Sequence, residues 1–545
     1  MKTFKYFLAL ALLAGMYSCF KDEGNYKYHE INDVKIADFE KMYECIAFEE
    51  VLNITPEIDT KTPEGRLSYI WAISSYYKED GSGWKDRIPE ADTVSYDRNL
   101  SFPVDLGSGV YYIYYTVTNE DTGVSYYKDA QLQVNTLFTK GYYILKEVDG
   151  DSDVDLFYER KSRSADFADA FATLHGSPIS GKPTTFMQYG AYMFKTDPMA
   201  SDYDHTRTLN IVTENDLWVV DTRSLAPIYT YETLFYGPVA PQKPHFMRDN
   251  LVGITYASNL GYYSAYQNYD FGFGTNGQFG FPEEAPNVKL NYTVSPHMTF
   301  VSGGQPAWMA SGETVFFDDL NGNFMFAGFN NDLNVFSDTR EEPDPEGQYP
   351  PLVPNGIEHK LLFMGGNNSG GDMRIIAIFE DKDNSSTRYL YRLNTTELST
   401  KNPVSSIITL DPSMVINTVT EFVMKERDAP VIYYLHNNKV YMYDVNNNVE
   451  KVLSPLGLPT DETITYVGHR FYDYMMAPAA DIYDNLAIAT YKDGKYKMHL
   501  YEHRGGEPDG NPVVVLQGEG KAFSMVFVSP DFNNMVTSCL PGARR

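Results

Sequence analysis

Cysteine is scarce in this chain, with three residues among 545, at Cys19, Cys45 and Cys539. None of the three lies in a sequence setting that is typical of a catalytic nucleophile, which needs a nearby group that lowers the thiol pKa. A disulfide between Cys45 and Cys539 would have to join the first body domain to the last segment. We expect two separate buried thiols, and that disulfide is the alternative which the sequence leaves open.

Sequence motifs of catalysis are also missing. There is no G-x-S-x-G, no H-E-x-x-H, no Walker loop and no dinucleotide-binding G-x-G-x-x-G after a strand. Such motifs mark serine hydrolases, zinc peptidases, nucleoside triphosphatases and dinucleotide-dependent enzymes. We therefore expect a protein that is not an enzyme and that carries no cofactor.

Basic residues are in deficit, because 44 lysines and arginines stand against 73 aspartates and glutamates, for a formal net charge of −29. A surface of this sign repels phosphate backbones, which excludes nucleic acid as an expected partner. Helix-forming stretches rich in alanine and leucine are absent after residue 26, while tyrosine, glycine and asparagine are abundant. This bias favours strands and turns, and it indicates an all-β chain.

The first 26 residues hold the one long apolar run. Lys2 and Lys5 precede the apolar segment Tyr6–Met16, which has the length of a secretion signal and is too short for a permanent membrane span. A small residue then precedes Cys19, an arrangement that resembles the lipobox of bacterial lipoproteins, in which the cysteine is lipidated and becomes the first residue. The acidic stretch 20–25 resembles the export signal of Bacteroidota surface lipoproteins. A cleaved secretion signal without lipid is the alternative.

This resemblance implies a location and an order of segments. We expect a lipoprotein of the cell outer membrane, acylated at Cys19 and facing the cell exterior. The expected segments are a signal peptide (1–18), a lipidated tether (19–27), a first domain (28–136) and a second domain (138–545). No later apolar run approaches the length of a membrane span, so the body is expected to be held by lipid alone.

Residues 28–136 show the alternation of apolar and polar residues that is typical of short β-strands. In Gly109–Asn119 the side chains of Tyr111, Ile113, Tyr115 and Val117 fall on one face. A turn and a returning strand follow at once, and an earlier strand carries a tryptophan. The pattern predicts a two-sheet sandwich of about 100 residues.

The tryptophan strand and the G-x-Y-x-I-x-Y-x-V-x-N strand resemble a PKD-type immunoglobulin-like domain. Together with the leader, the start at Gly24-Asn25-Tyr26 and the linker from Phe138, they resemble the PKD-like family of surface lipoproteins of Bacteroidota. The resemblance implies accessory work in nutrient capture beside a SusC-like transporter and a SusD-like lipoprotein. The W-D-F-G-D-G continuation of many PKD domains is missing, because Trp71 is followed by Ala-Ile-Ser-Ser.

Residues 138–545 repeat a short apolar strand that closes on a polar turn, at intervals of about 45 to 74 residues. Such intervals suit β-propeller blades of four short strands with variable loops, and they predict a propeller of about seven blades. The proline-rich acidic segment 337–358 is predicted to be an insertion loop. The members of the repeat are residues 155–159, 217–221, 262–266, 315–318, 389–392, 440–444 and 498–502.

Two sets of residues are weak candidates for a metal site. Asp149, Asp151 and Asp153 alternate as carboxylates that wrap a hard cation do, but they lack the glycine and the distal glutamate of a calcium loop, so a solvated acidic turn is the simpler interpretation. His499 and His503 are four residues apart, which makes a metal pair only on a helix, and this segment is predicted to be a strand. We therefore expect no metal.

Exposed aromatic rings are the remaining candidates for ligand contact, because they offer apolar area with few rotamers to freeze. Trp308 and Trp84 are the two that fall in loop-like, glycine-rich contexts, and we expect these to touch ligand. Two asparagine–glycine clusters, 321–323 and 365–371, are predicted to be tight turns, with a role as rim loops around a ligand as the alternative.

The expected function is a non-enzymatic accessory subunit that binds an extracellular nutrient, an oligopeptide or a glycan, and presents it to a SusCD-type transporter. A propeller hydrolase acting on glycans or peptides is one alternative, which predicts converging carboxylates with a raised pKa at the central channel. A purely structural subunit of the transporter complex is the other, which predicts a broad apolar patch and no pocket.

Overall fold

A computed structural model describes most of the chain after residue 33, in two compact units, Met1–Val134 and Asn135–Arg545. No helix in the described part of the chain is long and apolar enough to cross a membrane. The described residues are 34–75, 91–158, 165–201, 203–237, 240, 242–250, 253–268, 273–274, 276–285, 291–301, 313–327, 333–340, 342–369, 372–395, 401–425, 429–472, 483–528 and 543–544.

The first unit is built from three antiparallel sheets, ordered β2-β9-β8-β5-β6, β3-β7 and β1-β4. A 3₁₀ turn, Glu64–Arg66, leads into β5. The strands are β1 (Lys35–Ile36), β2 (Met42–Ile46), β3 (Val51–Ile54), β4 (Ile58–Asp59), β5 (Leu67–Ser74), β6 (Asp92–Ser95), β7 (Leu100–Pro103), β8 (Gly109–Asn119) and β9 (Val124–Asn135).

The core of the first unit lies against the predicted face of β8. Ile113, Tyr115 and Val117 have no exposed area, and Trp71 of β5 pairs with Tyr115 so that the two rings stack with centroids 4.1 Å apart. Burial of a tryptophan and a tyrosine contributes on the order of 2 kcal/mol or more each, so this pair anchors the sandwich. Cys45 is a buried free thiol in the same core.

The second unit consists of seven sheets of three or more strands in its described residues, besides the two-stranded β35-β36. In chain order its first strands are β10 (Gly141–Val148), β11 (Asp151–Phe157), β12 (Pro183–Phe194), β13 (Asp204–Thr213), β14 (Leu217–Asp221), β15 (Pro227–Thr230), β16 (Pro244–Asn250), β17 (Gly253–Ser258), β18 (Gly261–Asn268), β19 (Phe273–Gly274), β20 (Val294–Val301), β21 (Glu313–Asp318), β22 (Asn323–Ala327) and β23 (Leu333–Val335).

The later strands continue the same antiparallel pattern. They are β24 (Lys360–Ser369), β25 (Asp372–Glu380), β26 (Arg388–Asn394), β27 (Val404–Thr409), β28 (Val423–Met424), β29 (Val431–His436), β30 (Lys439–Asp444), β31 (Val449–Val452), β32 (Thr463–Tyr472), β33 (Tyr483–Lys492), β34 (Lys495–Tyr501), β35 (His503–Arg504), β36 (Glu507–Pro508), β37 (Val514–Glu519), β38 (Lys521–Val528) and β39 (Ala543–Arg544). Helix α1 (Ala170–His175) and a 3₁₀ turn, Val415–Asn417, are additions between strands.

The seven sheets, numbered from the N-terminal side, are sheet 1 (β11-β10-β38), sheet 2 (β12 to β15), sheet 3 (β16 to β19), sheet 4 (β20 to β23), sheet 5 (β24 to β27), sheet 6 (β28 to β31) and sheet 7 (β37-β34-β33-β32-β39). Strands β12, β16, β20, β24, β28, β32 and β38 each lie beside the next, and β38 lies beside β12. These inner strands therefore form a closed ring, and the unit is a β-propeller.

Sheet 1 closes the ring with two distant parts of the chain. β38 pairs along β10 from Gly141↔Val528 to Glu147↔Lys521, with one bulge. Apolar clusters fill the spaces between neighbouring sheets, and one of them joins Tyr143 and Val526 of sheet 1 to Leu209 of sheet 2. Closure covers the apolar sheet faces that the first and last blades of an open row would otherwise expose.

Two segments rich in asparagine and glycine were predicted to be tight turns, and the structure agrees for the first of them only. The predicted turn at Asn321-Gly322-Asn323 is confirmed, since it links β21 to β22. The predicted turn at 365–371 is wrong for its first five residues, which belong to β24. Gly365 is needed there because a Cβ atom would lie 2.6 Å from the Met424 Cβ on the neighbouring sheet. The segment 337–358 has no strand in its described residues, as its prolines predict.

Candidate functional site

A cavity of about 390 Å³ lies inside the ring of inner strands. We call it the channel recess, because its walls come from the inner strands of five successive sheets, 2 to 6. It is lined by Pro183, Thr184, Thr185, Glu214, Pro244, His245, Phe246, Met247, Arg248, Pro296, His297, Met298, Phe363, Met364, Gly365, Thr420, Glu421, Phe422, Val423 and Met424.

The polar part of the channel recess holds one buried cation, two imidazoles and the exposed carboxylates of Glu214 and Glu421. Arg248 of β16 is 4% exposed and forms part of the wall, and an arginine stays charged at any ordinary pH. Burial lowers the pKa of His245, opposed by a hydrogen bond with the backbone of Val294. Burial, with the nearby His245 and Lys360, lowers the pKa of His297 to about 4. Both imidazoles are therefore neutral near pH 7, each able to donate one hydrogen bond and accept one.

A second cavity of about 730 Å³, the side recess, lies between sheets 4 and 5 and shares Pro296, His297 and Thr420 with the channel recess. The shared residues make the two recesses neighbours across His297. The side recess is lined by Pro296, His297, Phe317, Asp319, Leu320, Asn321, Gly322, Gly356, Ile357, Glu358, His359, Lys360, Leu361, Leu362, Lys382 and Thr420.

The β21–β22 turn places a carboxyl group in the side recess. Asp318 is fully buried, and its Oδ1 accepts hydrogen bonds from the backbone N–H of Thr293 (2.9 Å) and Leu320 (3.0 Å). The neighbouring residue Asp319 is exposed to solvent and lines the side recess. Desolvation, followed by the charge of Asp318, raises the pKa of Asp319 to about 6. Asp319 therefore exchanges a proton close to neutral pH.

Gly322 holds this turn in place. Its φ is +71°, and a Cβ atom would lie 2.2 Å from the backbone oxygen of Ile357. The Ile357 N–H donates to the Gly322 oxygen at 2.9 Å, which ties the turn to the far wall of the side recess. The asparagine–glycine turn at 321–323 thus also supplies rim residues, because Asn321 and Gly322 line the cavity.

On the opposite wall, charged and imidazole groups are arranged in pairs. Lys382 forms an ion pair with Glu358, and its backbone N–H donates to His359 Nδ1 at 3.3 Å. His359 Nδ1 lies 3.7 Å from Asp381 Oδ2. Burial lowers the pKa of His359, against the opposing charges of Asp381 and Asp383. The recess therefore offers donors, acceptors and both charge signs, which suits a polar ligand with several hydrogen-bonding groups.

Of the aspartates of the predicted acidic turn, Asp149 lies between β10 and β11, whereas Asp151 and Asp153 lie in β11. Asp149 is at the turn with a φ of +53°. Asp151 Oδ1 accepts from the Gly181 N–H at 2.9 Å. Asp153 is buried rather than solvated, and it accepts from the N–H groups of Phe171 (2.8 Å) and Ala172 (3.0 Å) at the start of α1. Backbone donors thus take up two of the three carboxylates.

The other candidates from the sequence lie outside the described residues. These are the lipidation site Cys19 and the two aromatic candidates Trp84 and Trp308. A G-x-G-x-x-G spacing is present at 272–277, but its described residues belong to β19 and a turn in an all-strand region, with no helix after them. It therefore lacks the strand–helix setting of a dinucleotide site.

Among the described residues, one group of three brings possible metal-ligand atoms within 4.8 Å of one another, namely His469, Asp484 and His503. His499 lies on strand β34, as predicted. The sequence analysis missed the group because its members are far apart in the chain and belong to three strands. Only strand pairing reveals that they meet.

Comparisons with known proteins give one family match and several distant structural likenesses. The model of the PKD-like family matches residues 19–183. No curated protein matches the chain. A quinonprotein alcohol dehydrogenase-like protein from Bacteroides thetaiotaomicron has a TM-score of 0.36 and 11% identity, covering 90% of this chain and 97% of that chain.

Two further solved structures are similar at the same low level. A DUF4784 family protein from Bacteroides caccae has a TM-score of 0.31 and 8% identity, over 78% of this chain and 96% of its own. An auxiliary nutrient binding protein from Bacteroides thetaiotaomicron has a TM-score of 0.26 and 11% identity, over 78% of this chain and 86% of its own. The match to the PKD-like family model includes all the described residues of the first unit and the start of the second.

Proposed function

We propose that the protein is a surface lipoprotein of the outer membrane that binds an extracellular nutrient, an oligopeptide or a glycan, without catalysing a reaction. In this proposal it presents the nutrient to a SusCD-type transporter. The leader with Cys19 and the PKD-like match support the anchored, accessory part of the proposal. The observation that carries the binding part is the pair of neighbouring recesses joined at His297.

The size and chemistry of the recesses support binding of a short polar oligomer. Cavities of roughly 300–1,000 Å³ are typical of small-ligand sites, and the two recesses, about 390 and 730 Å³, both fall in that range. Arg248 and Lys360 offer donors, while Asp319 and Glu358 offer acceptors. A purely structural subunit has no need of such walls.

The first experiment is a mild-detergent pull-down of the tagged full-length protein from outer membranes, with mass spectrometry of proteins and of co-purifying small molecules. We expect a SusC-like transporter, a SusD-like lipoprotein and bound peptides or oligosaccharides. Recovery of the protein alone would contradict the transporter link.

Ligand binding is then assigned to the recess with a matched pair of variants. Peptides or oligosaccharides identified in the pull-down are titrated into wild type, His297→Gln and His436→Gln by calorimetry. His297 lies at the junction of the recesses, whereas His436 lies at the end of β29 and bonds only its neighbour Asn437 among the contacts described. We expect at least about tenfold weaker binding for His297→Gln and none of that loss for His436→Gln. Equal affinities would place the ligand elsewhere.

A hydrolase is the second candidate function, and the raised pKa of Asp319, about 6, is the observation that favours it. A protonated carboxyl group near neutral pH can act as a general acid toward a glycosidic or peptide bond. Purified protein is therefore screened for hydrolysis of the same ligands, beside Asp319→Asn. Hydrolysis that is lost in the variant would replace the binding proposal, whereas intact ligand in both samples supports it.

A further inference from the structure

Two neighbouring strands of sheet 7 carry His469 (β32) and Asp484 (β33), and His503 of the adjoining strand β35 comes close to both. In the β32–β33 register, Phe471 pairs with Asp484 and His469 pairs with Leu486, so His469 is the diagonal neighbour of Asp484. In the β33–β34 register, Leu486 pairs with Tyr501, and the same spacing carried two residues further places His503 opposite Asp484. Because side chains alternate along strands, the three groups point to the same side.

The three groups meet at one carboxylate oxygen. His469 Nε2 lies 2.7 Å and His503 Nε2 lies 2.6 Å from Asp484 Oδ1. The other oxygen, Oδ2, is 4.0 Å from the ammonium group of the buried Lys425, which follows β28 in sheet 6. The same nitrogen of each imidazole therefore faces one carboxylate oxygen, and a cation outside the group lies near the other oxygen.

The hairpin that carries His503 is fixed against sheet 6. Tyr433 of β29 donates its hydroxyl to the Gly506 oxygen at 2.8 Å. Gly506 has a φ of +94°, and a Cβ atom there would lie 2.8 Å from Val431 Cγ2. Lys451 of β31 pairs with Glu507 at 2.5 Å. The imidazole of His503 is thus delivered by a docked hairpin and not by a free loop.

Burial divides the group into a protected and an accessible part. The side chains of His469 and His503 are 0% and 5% exposed, whereas that of Asp484 is 33% exposed. His503 Nδ1 is a buried atom without a hydrogen-bond partner in the described structure. Among the described residues, the hydrogen bond recorded for the His503 imidazole is the one between its Nε2 and Asp484 Oδ1.

We propose that His469 Nε2, His503 Nε2 and Asp484 Oδ1 form a three-ligand site for a divalent transition metal, with Zn²⁺ as the first candidate. Two imidazoles and one carboxylate are a donor set of catalytic-type zinc sites, which keep a further position open to water or ligand. Lys425 acts on the carboxylate from outside the ligand set, as partners of metal ligands commonly do. The proposal does not depend on the proposed function.

The three ligand atoms lie within 4.8 Å of one another, so a tetrahedral ion requires their separations to change. Zinc bonds of roughly 2.0–2.1 Å to nitrogen and oxygen in a tetrahedron separate the ligand atoms by about 3.3 Å. The nitrogen–oxygen distances of 2.7 and 2.6 Å must therefore lengthen by about 0.6 Å. Asp484 can supply this movement because it is the most exposed of the three side chains.

The test uses the full-length protein, stripped with a chelator and then titrated with ZnCl₂ by calorimetry, with bound metal counted by mass spectrometry. Wild type is expected to bind one zinc ion per chain with micromolar or tighter affinity. His503→Gln and His469→Gln are expected to weaken that binding at least about 100-fold. The matched control His436→Gln, on the neighbouring sheet, is expected to bind like wild type.

Two further readouts protect the test against misfolding of a variant. Zinc should raise the melting temperature of wild type, since a ligand that binds only the folded state stabilises it. Cobalt in place of zinc should give the visible absorption bands of a tetrahedral site. Absence of both effects in wild type would overturn the proposal and leave the group as a hydrogen-bonded triad. Zinc binding that is unchanged in both histidine variants would overturn it equally.

Discussion

At the scale of single residues, the second unit contains an ionic cluster in its interior. Lys146 of β10 has no exposed area, and its ammonium group lies 2.6 Å from Asp155 Oδ1 and 2.8 Å from Asp169 Oδ1. Tyr496 of β34 donates to Asp155 Oδ2 at 2.7 Å. Burial lowers the pKa of Lys146, but the two carboxylates raise it more, to a value above the ordinary one. The cluster joins sheet 1 to sheet 7.

We expect Lys146→Met to lower the free energy of unfolding of the second unit by about 3–5 kcal/mol, because it leaves the buried carboxylate of Asp155 without its cation. The matched control is Lys495→Met, since the Lys495–Glu519 pair is two-thirds exposed on both sides and contributes at most about 1 kcal/mol. Urea denaturation at pH 7 compares the two. Equal losses of unfolding free energy would show that the buried Lys146–Asp155 pair contributes no more than the exposed Lys495–Glu519 pair.

His499 gives a prediction for pH. It is 2% exposed, and its Nε2 lies 3.2 Å from the Thr490 hydroxyl. Burial, partly opposed by Glu462, lowers the pKa of His499 to about 4 from an ordinary 6.5. The unfolded chain therefore binds a proton between pH 6.5 and 4 that the folded chain does not. Stability is fully present above about pH 6.5 and falls as the pH drops through this window, by up to about 3 kcal/mol.

The check is urea denaturation at pH 7, 6 and 5 for wild type, His499→Gln and the more exposed His436→Gln. The His499 variant should lose part of the decline in stability toward pH 5, because its side chain has no proton to bind in either state. The decline in stability toward pH 5 should be smaller in the His499 variant than in the His436 variant. A slope in His499→Gln identical to that of wild type would refute the assignment.

At the scale of elements, local pattern predicted strands well and their partners poorly. The alternation along β8 predicted both the strand and its buried face, because a period of two is a property of neighbouring residues. Six members of the apolar repeat lie in the third strand from the ring of their sheets, but Val315–Asp318 lies in β21, the second. The asparagine–glycine cluster at 365–369 was predicted to be a turn, but it belongs to β24. Its Gly365 allows Met424 of the next sheet to approach closely.

The candidate site was less predictable for the same reason. His297, Arg248 and Asp319 carry no motif, and they meet only because successive inner strands lie side by side. His469, Asp484 and His503 depend on two strand registers at once. Sequence spacing cannot express contacts that pairing over distances of many residues creates.

The β21–β22 turn offers a prediction at this scale. Gly322→Ala should destabilise the second unit by about 2–4 kcal/mol, since the new Cβ would lie 2.2 Å from the Ile357 oxygen in addition to the cost of a positive φ. Gly347 is the matched control, because its φ is +80° but no atom lies within 4 Å of a Cβ there. Its alanine variant should cost only about 1 kcal/mol. Thermal melts of both variants measure the two effects. An equal shift in melting temperature would mean that the Ile357 backbone moves away from the new Cβ at little cost in free energy.

At the scale of the whole molecule, the second unit depends on a strand from near its C-terminal end. β38 is the inner strand of sheet 1, so residues 521–528 complete a sheet begun at residue 141. The spacing of apolar strands along the chain predicted a propeller, but it did not predict which strands pair to close the ring. Loss of this strand would leave β10 with an open edge toward the channel and would break the ring between sheets 7 and 2.

Val526→Asp tests this dependence. Val526 is 1% exposed and packs between sheets 1 and 2, so the new carboxylate would be buried without a partner, at a cost of about 3–5 kcal/mol. Val513→Asp is the matched control, because Val513 is 55% exposed and its substitution should be nearly neutral. Limited proteolysis followed by mass spectrometry should show rapid cleavage throughout residues 135–545 of the Val526 variant. The first unit, which has its own core around Trp71, should survive as a resistant fragment. Cleavage confined to the neighbourhood of β38 would mean that the other sheets hold together without closure, and the ring would then be a consequence of stable blades rather than their cause.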